Sequence, residues 1–97
     1  MTDRAKVKYR SQMKILADML EAIESDGGKA LPTRIMFKAN LSYDRLEKYL
    51  SDLKQLGLVE ELRDGDKVVY GLTGKGVDYL VEFRRVVEFA KAFGIPL

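Results

Sequence analysis

The chain has neither cysteine nor histidine among its 97 residues. Without cysteine there is no disulfide framework and no thiolate metal site. Without histidine there is no His-type zinc site, no triad with an imidazole base and no imidazole switch near neutral pH. Asparagine occurs once, at Asn40, and glutamine only at Gln12 and Gln55. Such scarcity of labile amides points to a hot-living host. No apolar run is long enough to span a bilayer, and none resembles a secretory h-region, so an intracellular, cytoplasmic protein is expected.

What is present suits one small domain. The apolar share, 46%, is ordinary and the charged share, 33%, is high. The net charge of +2 says little about partners, but its distribution says more. Arg4, Lys6, Lys8, Arg10 and Lys14 face a single nearby acid, Asp3. Residues 1–10 therefore read as a basic arm whose alternating charges, Lys8 and Arg10 among them, can follow a phosphate backbone. The other reading is a frayed, solubilising terminus.

The apolar spacing predicts a helix over Ser11–Ser25, with Met13, Leu16, Ala17, Leu20 and Ile23 on one face and a stop at Asp26-Gly27-Gly28. Lys29–Leu31 is a short extended link. Pro32 suits the first turn of a second helix, whose apolar face is Ile35, Met36 and Ala39 and whose end falls at Asn40. Ser42 caps a third helix reaching Leu56, with Leu46, Leu50 and Leu53 inward and Tyr49 and Leu56 alongside. Gly57 closes it. Leu58–Arg63 and Lys67–Leu72 read as strands joined by the turn Asp64-Gly65-Asp66. An isolated hairpin is marginal in water, so it must pack on the helices or gain a third strand, for which Lys29–Leu31 is the free candidate.

Thr73 caps a last helix to about Phe93. Val77, Leu80 and Val81 are enough to close it on the domain. Tyr79, Phe83, Val86, Ala90 and Phe93 then follow the spacing of a coiled-coil seam, which favours a homodimer. The competing arrangement has Phe83 to Phe93 folded back over the first helix. The implied division is an arm at 1–10, a compact domain at 11–72 and a C-terminal dimerisation helix at 73–97.

Catalysis finds little support. Glu60 and Glu61 point to opposite faces of a strand. Asp64 and Asp66 belong to a turn. Gly71 to Gly76 lacks the Walker spacing, and no metal or cofactor site is expected. Two helices with a tight corner instead form a helix-turn-helix, whose second helix can enter a DNA major groove. Its outer and flanking faces carry Tyr43, Asp44, Arg45, Glu47, Lys48 and Ser51. Arg45 is suited to guanine O6 and N7, and Lys48 and Ser51 to phosphate or looser base contacts. Arg34 and Lys38 add positive charge along the same edge. Asp44 and Glu47 repel phosphate and are expected to pair with Arg45 or Lys48. The plainer reading of this face is solvated surface.

The run Thr33-Arg34-Ile35-Met36-Phe37-Lys38-Ala39-Asn40-Leu41-Ser42-Tyr43, with Tyr49-Leu50, Tyr70, Leu72-Thr73 and Lys75-Gly76, resembles the archaeal winged helix-turn-helix DNA-binding family. That family includes the Sulfolobus ten-a chromosomal proteins and predicted transcriptional regulators. The resemblance covers residues 11 to 90. It implies an α+β, mostly helical winged helix with a two- or three-stranded wing sheet, duplex DNA as ligand and dimerisation through the C-terminal helix. It also implies that Arg34, Ser42, Tyr43, Arg45 and Lys48 lie on DNA-facing helices, with Arg63 and Lys67 at the wing. The terminal helix is shorter than the long coiled coil of the chromosomal members, and the wing is acidic. The first bears on the geometry of the dimer; the second tilts the expectation from an architectural coat towards a nucleoid-associated regulator. A winged helix can also dock protein partners in place of DNA.

Overall fold

The computed structural model describes residues 10–97; Lys8 and most of the basic arm lie outside the described residues. The order is α1 (Gln12–Ser25), β1 (Lys29–Ala30), α2 (Pro32–Lys38), α3 (Tyr43–Gln55), β2 (Val59–Asp64), β3 (Lys67–Leu72) and α4 (Gly74–Ala92). Ser11 starts α1 by accepting the Lys14 N–H at 3.1 Å. Ile15, Leu16, Ala17, Met19, Leu20, Ala22 and Ile23 are all buried on this helix, a wider arc than one stripe needs. The extra arc is used because α1 packs against α2, α3, α4, β1 and β3.

Each helix ends by a local device. Gly28 N–H donates to Ile23 carbonyl and Leu41 N–H to Met36 carbonyl, both at 3.0 Å. Asn40 takes the left-handed conformation, φ 56°, that the second of these closures requires. Leu58 N–H to Leu53 carbonyl, 2.9 Å, closes α3 through Gly57 in the same way. Leu46, Leu50 and Leu53 are buried as expected, but Leu56 is exposed because it lies past the last turn as the cap.

The sheet has the order β1-β3-β2, all antiparallel. Lys29 pairs with Gly71 and Ala30 with Tyr70, so the short link does supply the third strand. The β2–β3 loop is Gly65-Asp66, with positive φ at the glycine and Asp64 paired to Lys67.

Gly71 to Gly76 is taken up by internal structure. Thr73 hydroxyl donates to Gly57 carbonyl at 2.6 Å and accepts from Gly76 N–H at 3.0 Å. Lys75 donates to Leu56 carbonyl at 2.6 Å, capping the negative end of α3. This clamp fixes the start of α4 to the end of α3.

On α4, Leu80, Phe83 and Ala90 are buried and Tyr79 and Val87 pack against the core. Tyr79 stacks parallel to Phe83 at 6.3 Å and donates to Met13 carbonyl at 2.8 Å. Arg84 reaches Glu24 at 2.8 Å and Glu21 at 3.3 Å. Two expectations are thereby corrected. Val77 and Val81 are exposed and do not close the domain, since among the three valine and leucine positions only Leu80 faces inward. Phe83, Ala90 and Tyr79 are turned to the chain's own fold, because α4 lies on α1 and takes three of the five expected seam residues with it. Val86 and Phe93 stay exposed.

A Cβ on Gly76 would sit 2.2 Å from the Leu58 carbonyl oxygen, a backbone atom that cannot swing away. Gly76→Ala should therefore cost about 1–3 kcal/mol. Gly74→Ala, with nothing within 4 Å, should be neutral or slightly stabilising. Thermal melts of the two variants followed by circular dichroism check this; equal melting temperatures would remove the close approach as a constraint.

Candidate nucleic-acid interface

With Leu46, Leu50 and Leu53 inward, about 100° per residue places Asp44, Lys48, Ser51 and Gln55 along the outermost line of α3. Arg45 and Asp52 lie on one flank of that line, and Tyr43, Glu47 and Lys54 on the other. Ser42 holds the first turn by accepting the Arg45 N–H at 3.3 Å. Arg45 is exposed and has no carboxylate partner among the described residues. Lys48 is held loosely, 3.9 Å from Asp52 and 4.5 Å from the Tyr49 ring centroid. Ser51 is open to solvent. The expected pairs of Asp44 or Glu47 with Arg45 or Lys48 do not form; Lys48 leans along the helix to Asp52 instead.

Arg34, Lys38 and Arg10, expected as phosphate contacts, are engaged within the fold. Arg34 forks onto Asp26, with Nε at 3.1 Å and an Nη at 2.9 Å. Lys38 donates to the same carboxylate at 2.8 Å and to Ser25 hydroxyl at 2.9 Å. The Arg34 hydrogen bond, followed by that of Lys38, holds the Asp26 carboxyl well below the usual carboxylate range. The Arg34 guanidinium is correspondingly pushed up by Asp26. The cluster pins α2 to the end of α1. Arg10 donates to Asp18 at 2.9 Å and to the carbonyls of Ala39 at 2.7 Å and Asn40 at 3.0 Å. It therefore caps the C-terminal end of α2 at the helix-turn-helix corner.

At the wing, Arg63 and Lys67 are exposed near Asp64 and Asp66, so the tip is close to neutral. Glu61 pairs with Lys54 at 3.1 Å and ties the base of the wing to α3; this bond raises the Lys54 ammonium pKa. Burial, aided by Glu61, raises the Tyr70 phenol pKa beside them.

The sequence reading passed over two surface residues. Phe37 is 84% exposed, half a turn from the Ile35–Ala39 side, and could have been found from that phase. Phe89 is exposed on α4 one turn before Phe93, its ring 5.0 Å away. Among the described residues no group of three or more Asp or Glu side chains is arranged to hold a metal ion.

Three helices closed by a hairpin wing, with an uncovered polar face on the second helix of the corner, define the winged helix-turn-helix class of DNA-binding architecture. The profile of the winged helix-turn-helix family matches residues 9–91. The chain belongs to that family, whose members are DNA-binding regulators and not enzymes. Among solved structures it is similar to Sso10a-2, a DNA-binding protein from Sulfolobus solfataricus. The two are 25% identical, with a TM-score of 0.77 over 87% of this chain and 85% of that one. It shares its fold with the transcriptional regulator BldR of the same organism, at 20% identity and TM-score 0.65 over 79% of this chain and 60% of that one. A MarR family protein from Bacillus stearothermophilus has the same fold at 19% identity and TM-score 0.65, over 91% of this chain and 61% of that one. No curated protein matches the chain by sequence. No helix among the described residues is long and apolar enough to cross a membrane.

Asp26 supplies a pH test. Its folded pKa is depressed below the ordinary 3.8, so its stabilisation is present above that ordinary value and is lost as pH falls from there through the lower, folded pKa. Wild type should lose melting temperature faster than Asp26→Asn between about pH 5 and pH 2. Parallel acid limbs would mean that the cluster does not hold α2.

Proposed function

We infer that the protein is a transcriptional regulator that binds duplex DNA as a homodimer, with α3 in the major groove. The observation that carries this is the outer face of α3, exposed, polar and led by an Arg45 that no carboxylate among the described residues engages. A guanidinium in that position can contact guanine O6 and N7 together. Lys48 and Ser51 reach phosphate or a neighbouring base, and Ser42 and Tyr43 flank the point of entry. Arg63 and Lys67 add a weak wing contact, since Asp64 and Asp66 oppose them. Arg10, Arg34 and Lys38 contribute long-range potential while they hold the corner together. Lys8 belongs to the arm and would follow the phosphates. The acidic wing, close to neutral only at its tip, favours a regulator over an architectural coat, and such a protein works in the cytoplasm, at the nucleoid. The similarity to Sso10a-2, described as DNA-binding, supports the same reading.

Affinity for duplex DNA should fall steeply with salt, by about 0.9 log unit per neutralised phosphate per log of salt. Arg45→Ala should weaken the preferred site about 5- to 150-fold and relax base choice at one position. Fluorescence anisotropy across a salt series measures both. A salt-independent signal would end the proposal, and an equal loss on every sequence would make Arg45 a phosphate contact.

The dimer rests on α4. Val86, Phe89 and Phe93 form one exposed apolar face, with Phe89 at 63% and Phe93 at 68% exposure, while Tyr79, Phe83 and Ala90 serve the core. A second copy meeting this face would bury both phenylalanines across a two-fold axis. Phe89→Asp should yield monomers in sedimentation without unfolding the chain. An unchanged mass would move the interface elsewhere.

A further inference from the structure

The outermost line of α3 begins with a carboxylate, Asp44, one turn ahead of Lys48. An acidic residue in a helix's first turn is favoured by the helix dipole, which accounts for its presence in the free protein. It does not account for what happens when that turn approaches DNA. The groove walls are phosphates, and a bare carboxylate there is repelled. The nearest remedy would be an ion pair with Lys48, which has the favourable i, i+4 spacing. That pair is not made: Lys48 lies against Asp52 and the Tyr49 ring, and Asp44 has no salt-bridge partner among the described residues.

Only one feature of the groove floor welcomes an acceptor, namely an exocyclic amino group. Guanine shows O6 and N7 and thymine O4, all acceptors that repel a carboxylate; cytosine N4 and adenine N6 donate. Adenine sets its acceptor N7 beside N6, so a two-oxygen acceptor meets repulsion as well as a donor. Cytosine has only a C–H next to N4. We propose that Asp44 is a specificity-determining residue that accepts a hydrogen bond from cytosine N4, making the entering turn of α3 selective for cytosine at one position. This rests on the placement of α3 in the major groove. Arg45 beside it, seeking guanine, and Asp44, seeking cytosine, together read the major-groove edges of G·C pairs and reject A·T.

The test uses the full chain and a duplex obtained by selection from a random pool, with that duplex varied one base pair at a time. Wild type should prefer cytosine at one position by about 5- to 150-fold. Asp44→Asn, which adds a donor beside the acceptor, should move that preference to adenine, whose N6 and N7 it matches. Asp44→Ala should abolish the preference while tightening binding to unrelated duplexes through lost repulsion. Melting temperatures of both variants, read by circular dichroism, separate folding from recognition. If both variants bind every duplex tighter by one common factor with base choice intact, Asp44 only repels. If only the melting temperature moves, it serves only the helix dipole. Either result overturns the inference and leaves the DNA reading standing. Wild type that binds no duplex in a salt-dependent way overturns both.

Discussion

The structure depends on the burial of one helix. Ile15, Met19, Leu20 and Ile23 of α1 are almost wholly excluded from solvent, and the surfaces that exclude it come from α2, α3, α4, β1 and β3. At about 1.5–3 kcal/mol for each large side chain fully buried, these four contribute more than any polar contact in the molecule. The helix-turn-helix could not be rigid by itself, because α2 and its cap offer only Ile35, Ala39 and a half-buried Met36, and α3 a single row of leucines. Packed against α1, the same two helices hold a fixed corner, and the polar face of α3 is left pointing away from the core.

Polar interactions then set angles. Several cations are placed where a helix ends: Arg10 on the last carbonyls of α2, Lys75 on Leu56 carbonyl at the end of α3, and Arg34 and Lys38 around Asp26 just after α1. Lys54 and Arg84 join elements through Glu61 and Glu24. These bonds are largely at the surface and individually modest. Their effect is to divide the positive charge into two populations, one that braces the fold and one, led by Arg45, that remains open. A net charge of +2 conceals this division.

The last helix serves two purposes on two faces. Its inner side, with Leu80, Phe83, Val87 and Ala90, seals α1, while Val86, Phe89 and Phe93 lie about 80–140° around the cylinder, exposed, with no cover from the described residues. A residue spacing of four and three describes both sides at once, and for that reason the coiled-coil reading merged them. Phe83 and Ala90 differ from Phe93 only in which side α1 happens to occupy.

Local physics was legible without coordinates. The leucine row of α3, the caps Ser11, Ser42 and Thr73, the left-handed Asn40 and the turn at Gly65 act over four or five residues, so sequence alone determined the helices, their ends and the winged order, and left Lys29–Leu31 as a candidate third strand that the sheet pairing then decided. Only the tertiary structure decided which cations are free. Arg10 meets Asn40 thirty residues away, and Tyr79 meets Met13 at a separation of 66. Such partners are chosen by how helices pack, and a side chain's charge is known from the sequence while the carboxylate or carbonyl that claims it is not.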